Sequence, residues 1–270
     1  MSNGRSKSCV FCGEAPPAVK MTNEHVLRNW FRQHMSGPDT RLRHRSWWMD
    51  EATGTRQVDH RDVGLNPWEV TVKRVCAPCN NGFLNDEIEK PIETTLLRLM
   101  RGQLTRLDPE DQKLIAIWAW KTSLVRALAD SGPTTIPDSD FRYLRERIEP
   151  PSHVRVWLGS CEAPEDTWTR HSRFTIAQGP VGPSHGYITT LALGNLLLFI
   201  WSGPEEFLAL VEGSIWPALD VKVAQVARVI WPVQDTIRWP SLPRMYQYEF
   251  HALTDQILQY ALNTADVGGI

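Results

Sequence analysis

Two pairs of cysteines, Cys9 with Cys12 and Cys76 with Cys79, each enclose two residues, the spacing at which one tight turn aims two sulfurs at a common centre. Four such thiolates are the donor set of a closed, tetrahedral structural zinc site. A redox role is the weaker rival, since no thioredoxin-like strand and helix pattern surrounds either pair. The 63 residues between Cys12 and Cys76 far exceed the gap of an ordinary zinc ribbon, so that segment must fold as something in its own right. Within it stand Glu24 and His25, adjacent in sequence, and directly after the last cysteine stands Asn80. A carboxylate and a carboxamide are hard oxygen donors of the kind Mg2+ prefers, while an imidazole titrating near pH ~6.5 takes a proton from water at neutral pH. These are the parts that phosphodiester hydrolysis needs: a cation to absorb charge on the phosphate, ligands to hold it, and a base to make the nucleophile. Neighbours on an extended strand point oppositely, so Glu24 and His25 serve one centre only where the backbone turns or a metal bridges them.

Around these residues the charge is uneven. The whole chain carries a net charge of −2, yet residues 1–107 hold 16 Lys and Arg against 12 Asp and Glu, leaving the acidic excess to residues 108–270. Between Arg28 and Arg45 lie five arginines (Arg28, Arg32, Arg41, Arg43 and Arg45), two histidines and one acid, Asp39, a density suited either to phosphate contact or to a solvated surface loop. Trp47 and Trp48 sit beside it and are candidates for base stacking; the tryptophans in the apolar segments IWAWK, VRVWLG and LFIWSG read as core. On an α-helix starting near Asn80, Glu87 falls on the same face seven residues later, whereas Asp86 and Glu89 rotate away. Cys161 stands alone and reads as a small buried apolar residue.

The elements that must position these groups are legible in outline. Residues 1–107 read as a zinc-containing domain of short elements: a CVFCG knuckle, a strand end or turn entering a helix over TNEHVLRNWFRQHM, strands near Ser46–Asp50 and Glu69–Val75, and a helix after Cys76 interrupted at Pro91. Residues 108–270 read as a second, α+β domain. It opens on a helix capped by Asp108 with Pro109 in its first turn, apolar around most of its circumference, and a shorter helix capped by Asp138 follows. After Pro151 come strand-like runs (VRVWLG, SRFTIA, YITTLALG, LLLFIW and VKVAQVARVIWP) that fit an antiparallel sheet with a hairpin turn at Gly194 and Asn195, and YEFHALTDQILQYALN returns to helical spacing. Neither a long apolar span nor a signal peptide is evident, so a soluble, cytoplasmic protein is expected.

In this order, CVFCG, TNEHV and VCAPCNNGFLNDEIE resemble the HNH endonucleases of the ββα-metal class, in particular members stapled by two CxxC pairs. The resemblance covers roughly residues 9–90. It implies a zinc-stapled ββα N-terminal core, Glu24 and Asn80 as ligands of a catalytic divalent ion, His25 as general base, structural Zn2+, Mg2+ or a similar catalytic ion, and double-stranded DNA as the partner. Arg28 and Phe83 stand where such relatives often carry proline and tryptophan. The helix that follows often offers one more acidic or imidazole group in such relatives, and of Asp86, Glu87 and Glu89 the resemblance makes Glu87, on the face of Asn80, the candidate third ligand of the catalytic ion. More loosely, an AxWAxK helix followed by a VxVWLG strand region is similar to stand-alone bacterial HNH proteins, whose C-terminal part has no general assigned role; in this chain residues 108–270 are candidates for recognition, sensing, oligomerisation or binding a partner protein. A zinc-stabilised module that binds nucleic acid or protein without cutting it, and a ribonuclease, are the competing readings.

Overall fold

Apolar runs of period two and of helical period divide the chain much as their spacing requires. The computed structural model describes residues 8–34, 43–49, 56–62, 67–130, 136–162, 168–176, 184–203, 216–246 and 248–257. In chain order these form β1 (Met21–His25), a 3-10 segment Asn29–His34, β2 (Arg43–Met49), β3 (Arg56–Asp62), a short 3-10 turn Pro67–Glu69, β4 (Thr71–Cys76), and a π-helix Pro78–Glu89 that runs directly into α1 (Lys90–Met100). Then come β5 (Thr105–Leu107), α2 (Pro109–Leu128), α3 (Asp138–Arg147), β6 (Val154–Ser160), β7 (Trp168–Ile176), β8 (Ser184–Leu193) and β9 (Leu196–Ser202). The described chain closes with α4 (Trp216–Val223), β10 (Ala227–Trp231), β11 (Ile237–Trp239) and a helix α5 over 248–257. None of the described helices is long and apolar enough to cross a membrane.

The fold is mixed helix and sheet. Its main body is a seven-stranded sheet in the order β10-β6-β9-β8-β7-β2-β3, antiparallel throughout except where β2 runs parallel to β7. β1 and β4 form a separate antiparallel pair, and β5 pairs with β11. The alternation along β9 explains why LLLFIW is continuously apolar. Leu196, Leu198 and Ile200 enter the core shared with α1, α2 and α3, whereas Leu197, Phe199 and Trp201 enter a second core with α4 and α5. The β8–β9 hairpin turns at Gly194, whose φ of 56° suits glycine, and a Cβ there would run into the Met100 carbonyl oxygen.

α2 forms where its signals are strongest. The Asp108 carboxylate accepts from the Asp111 N–H at 2.9 Å, Pro109 opens the first turn, and every residue from Ile115 to Ala127 is buried. Gln112 staples its beginning to the distant chain, accepting from the Gln234 N–H at 3.0 Å and donating to the Asp235 carbonyl at 3.0 Å.

Several expectations are corrected by tertiary pairing. Residues 1–107 and 108–270 do not keep separate cores: β2 joins the large sheet through β7, β5 pairs with β11, and one apolar cluster runs from Cys9 to Trp239. The basic stretch is therefore no single surface loop, because Arg43 and Arg45 lie in β2 between two partner strands. VKVAQVARVIWP is not one strand; its first residues close α4 and only Ala227–Trp231 pairs in the sheet. Pro137, with extended backbone, precedes α3 where Asp138 was the expected cap. Gly194 and Asn195 do form the expected turn, and Trp118, Trp120, Trp157 and Trp201 are core.

Candidate functional site

The cysteine clamp is assembled from two backbone turns docked on one strand. In the first knuckle the Gly13 N–H donates to the Cys9 carbonyl at 2.8 Å, with φ of 78° at Gly13, and the Val10 N–H donates to Arg74 of β4 at 3.1 Å. β4 ends on Cys76, and Cys79 follows in the first π turn. All four sulfurs lie within 4.8 Å of one another, with Cys12 and Cys76 at 3.6 Å. A tetrahedron of thiolates with metal–sulfur bonds of about 2.3 Å has edges of about 3.8 Å, so the spacing fits a structural metal such as zinc. The Cys76 N–H donates to the Cys9 sulfur at 3.4 Å, a contact that favours thiolate. Proton sharing is uneven in the cluster. The hydrogen bond from Cys79 holds the Cys9 thiol down at about 4, whereas burial pushes Cys76 up to about 11, and the bond to Cys9 raises Cys79. One sulfur ionises at its neighbours' expense, which is the position a dication relieves.

The clamp delivers Asn80 to β1. Its Nδ2 donates to Thr22 Oγ1 at 3.1 Å and to the Asn23 carbonyl at 3.0 Å, committing the amide nitrogen to the two residues just before Glu24. Here the strand pairing is irregular: Thr22 faces Val75 but Glu24 faces Val72, so β4 carries one extra residue across this step. Asn23 is exposed, Glu24 is buried and His25 is half-buried. Burial lowers the His25 pKa from its ordinary value, with Arg28 and Lys121 acting in the same direction and Glu24 opposing. A neutral imidazole at pH 7 follows.

Glu24 does not stand alone. Lys121 of α2 reaches it with Nζ at 3.0 Å from Oε1, and the same ammonium lies 2.5 Å from Glu89 Oε1. Glu89 Oε2 in turn pairs with Arg28 Nε, while Arg28 Nη1 donates to Asn85 Oδ1 at 2.6 Å. Glu24, Lys121 and Glu89 are only 2%, 1% and 3% exposed, so none of these charges survives without its neighbours. Burial lowers the Lys121 pKa, against which the Glu24 charge works. Two acids and two bases close the chain with no net charge.

The other candidates fall in different places. Glu87 is exposed, and the buried acid is Glu89. The reason is the winding. Lys90 N–H donates to Asn85 O, five residues back, so each turn takes more than four residues and Glu87 lies about one and a half turns from Asn80, with Glu89 about two turns away. Arg28, a candidate for phosphate contact, spends two of its nitrogens on Glu89 and Asn85. Arg32 belongs to the 3-10 segment after β1, Arg43 and Arg45 to β2, and Arg41 lies outside the described residues. Trp47 and Trp48 are in β2. Cys161 is buried, with its thiol donating to the Gly194 carbonyl at 3.2 Å.

Sequence reasoning missed Lys121 and, on an α-helical template, turned Glu89 away from the site. Their signals were a lysine inside the apolar run LIAIWAWKTSLV and an acid that closes the π winding. No family model matches the chain, and no curated protein or solved structure matches it.

Proposed function

We propose that the chain is a metal-dependent endonuclease of the HNH type that hydrolyses phosphodiester bonds in double-stranded DNA. The observation that carries it is the pair of hydrogen bonds from Asn80 to Thr22 and to the Asn23 backbone, by which the cysteine clamp sets a carboxamide beside the Glu24–His25 pair. The order of β1, β4 and the helix that follows supports the ββα reading. The zinc is structural. Glu24 and Asn80 would hold the catalytic divalent ion, Glu24 through the oxygen that Lys121 does not engage and Asn80 through its amide oxygen, its nitrogen being committed to β1. When bound, such an ion polarises the scissile phosphate and neutralises the departing oxygen.

His25 takes the proton of the attacking water; its lowered pKa keeps the ring neutral at pH 7, as a general base requires. Plasmid cleavage in Mg2+ or Mn2+ tests the reading. His25→Ala is expected to cut about 10²–10⁴-fold more slowly while melting normally. Supercoiled DNA left intact by the unmutated protein across several divalent ions would count against catalysis. The engagement of Glu24 by Lys121 favours one alternative, a zinc-stabilised nucleic-acid-binding module; under it, binding without cutting is the outcome, and His25→Ala changes little.

A further inference from the structure

The ammonium of Lys121 is shared unequally. Glu89 is committed at both oxygens, to Lys121 through Oε1 and to Arg28 through Oε2, whereas the ion pair uses only Oε1 of Glu24. We propose that Lys121 is a positioning residue for Glu24: it grips one carboxylate oxygen and leaves the other to ligate the divalent ion, with Glu89 and Arg28 holding the ammonium in place. The inference rests on the nuclease reading and assigns a task in it to α2, an element outside the zinc-stapled region.

Three observations support it. A buried lysine is a costly way to join a helix to a strand, because apolar side chains of similar volume do so without desolvating a charge. Lys121 nonetheless sits at 1% exposure between Trp118, Trp120 and Leu124, all buried. One of its two partners is the residue immediately before His25. The set also balances in formal charge, with Glu24 and Glu89 set against Lys121 and Arg28. Carboxylate ligands are commonly held in this way by an outer group, and removing that group costs about 10–100-fold in metal affinity or activity.

The test uses the full-length, zinc-loaded protein and Mn2+ alone as probe, read by calorimetry, alongside the Mg2+ concentration that half-saturates plasmid cleavage. For Lys121→Met, both are expected to rise by about tenfold or more, with cleavage at saturating metal much less affected. A folded Lys121→Met protein that binds Mn2+ as tightly as the unmutated chain, or more tightly, overturns the assignment. Should Lys121→Met fail to fold, Glu89→Gln is measured instead, since it removes the charge that anchors the ammonium; weaker Mn2+ binding supports the proposal and unchanged binding overturns it. If the unmutated protein binds no Mn2+ and cuts no DNA, the nuclease reading fails and takes this proposal with it. If it binds and cuts and the variants match it, only the role of Lys121 is lost.

Discussion

At the scale of single residues, buried charges meet opposite charges in small sets. Glu24, Lys121, Glu89 and Arg28 form one. A second polar set lies under α2, where Arg126 Nε donates to Thr169 Oγ1 at 3.1 Å, Nη1 pairs with Asp130, and His171 shares a proton with Thr189 Oγ1 at 2.8 Å. Burial depresses the His171 pKa from 6.5 to about 3, with Arg126 and Arg173 adding to the effect and Asp130 opposing it. The unfolded chain therefore binds this proton first as pH falls. Stability from a neutral His171 is fully present above pH 6.5 and is lost as pH drops toward 3, at a slope approaching about 1.4 kcal/mol per pH unit. Urea unfolding at a series of pH values should show this slope in the unmutated chain and a flatter acid limb in His171→Gln. Equal slopes in the two proteins would show that the imidazole is not the group responsible. None of this was readable from the sequence, because His171 has no partner by spacing and its environment is built by α2 and β8.

Elements decide how the chemical groups meet. The cysteines, Glu24, His25 and Asn80 were legible because each belongs to a short motif whose chemistry is local. Glu89 was not: its placement depends on π winding, which re-phases the helix relative to an α template. Lys121 was visible as an anomaly in an apolar helix, but its partner was not, since the contact spans 97 residues. The clamp is the element whose loss should be felt most widely. Cys76 ends β4, pairs with Met21 and precedes the π-helix, so two elements hang from it. About one zinc per chain is expected by elemental analysis, and Cys76→Ser or a strong chelator should loosen β1, β4 and the π-helix together. Hydrogen exchange checks this: amides of these elements should lose protection well before those of β8 and β9. Uniform protection after the metal is stripped would mean that packing alone holds the knuckles.

For the whole molecule, the division near Asp108 separates charge but not structure. The acidic and basic halves exchange strands at two places, and α2 lies in the core common to both. Residues 1–107 expressed alone therefore expose β2 and lose the partners of β5, and are expected to lack a cooperative melting transition by circular dichroism. A cooperative melt of that fragment would restore the two-domain picture. The class of the fold was readable from alternating and helical periods, while the insertion of β2 and β3 into the main sheet was not, because nothing in their polar residues announces a partner more than a hundred positions away. That insertion also bears on how the protein is made. The ribosome releases β2 and β3 more than a hundred residues before β7, so over that stretch of translation the nascent hairpin carries an open edge with nothing to dock on, the condition in which strands stick to one another or need chaperones to shield them.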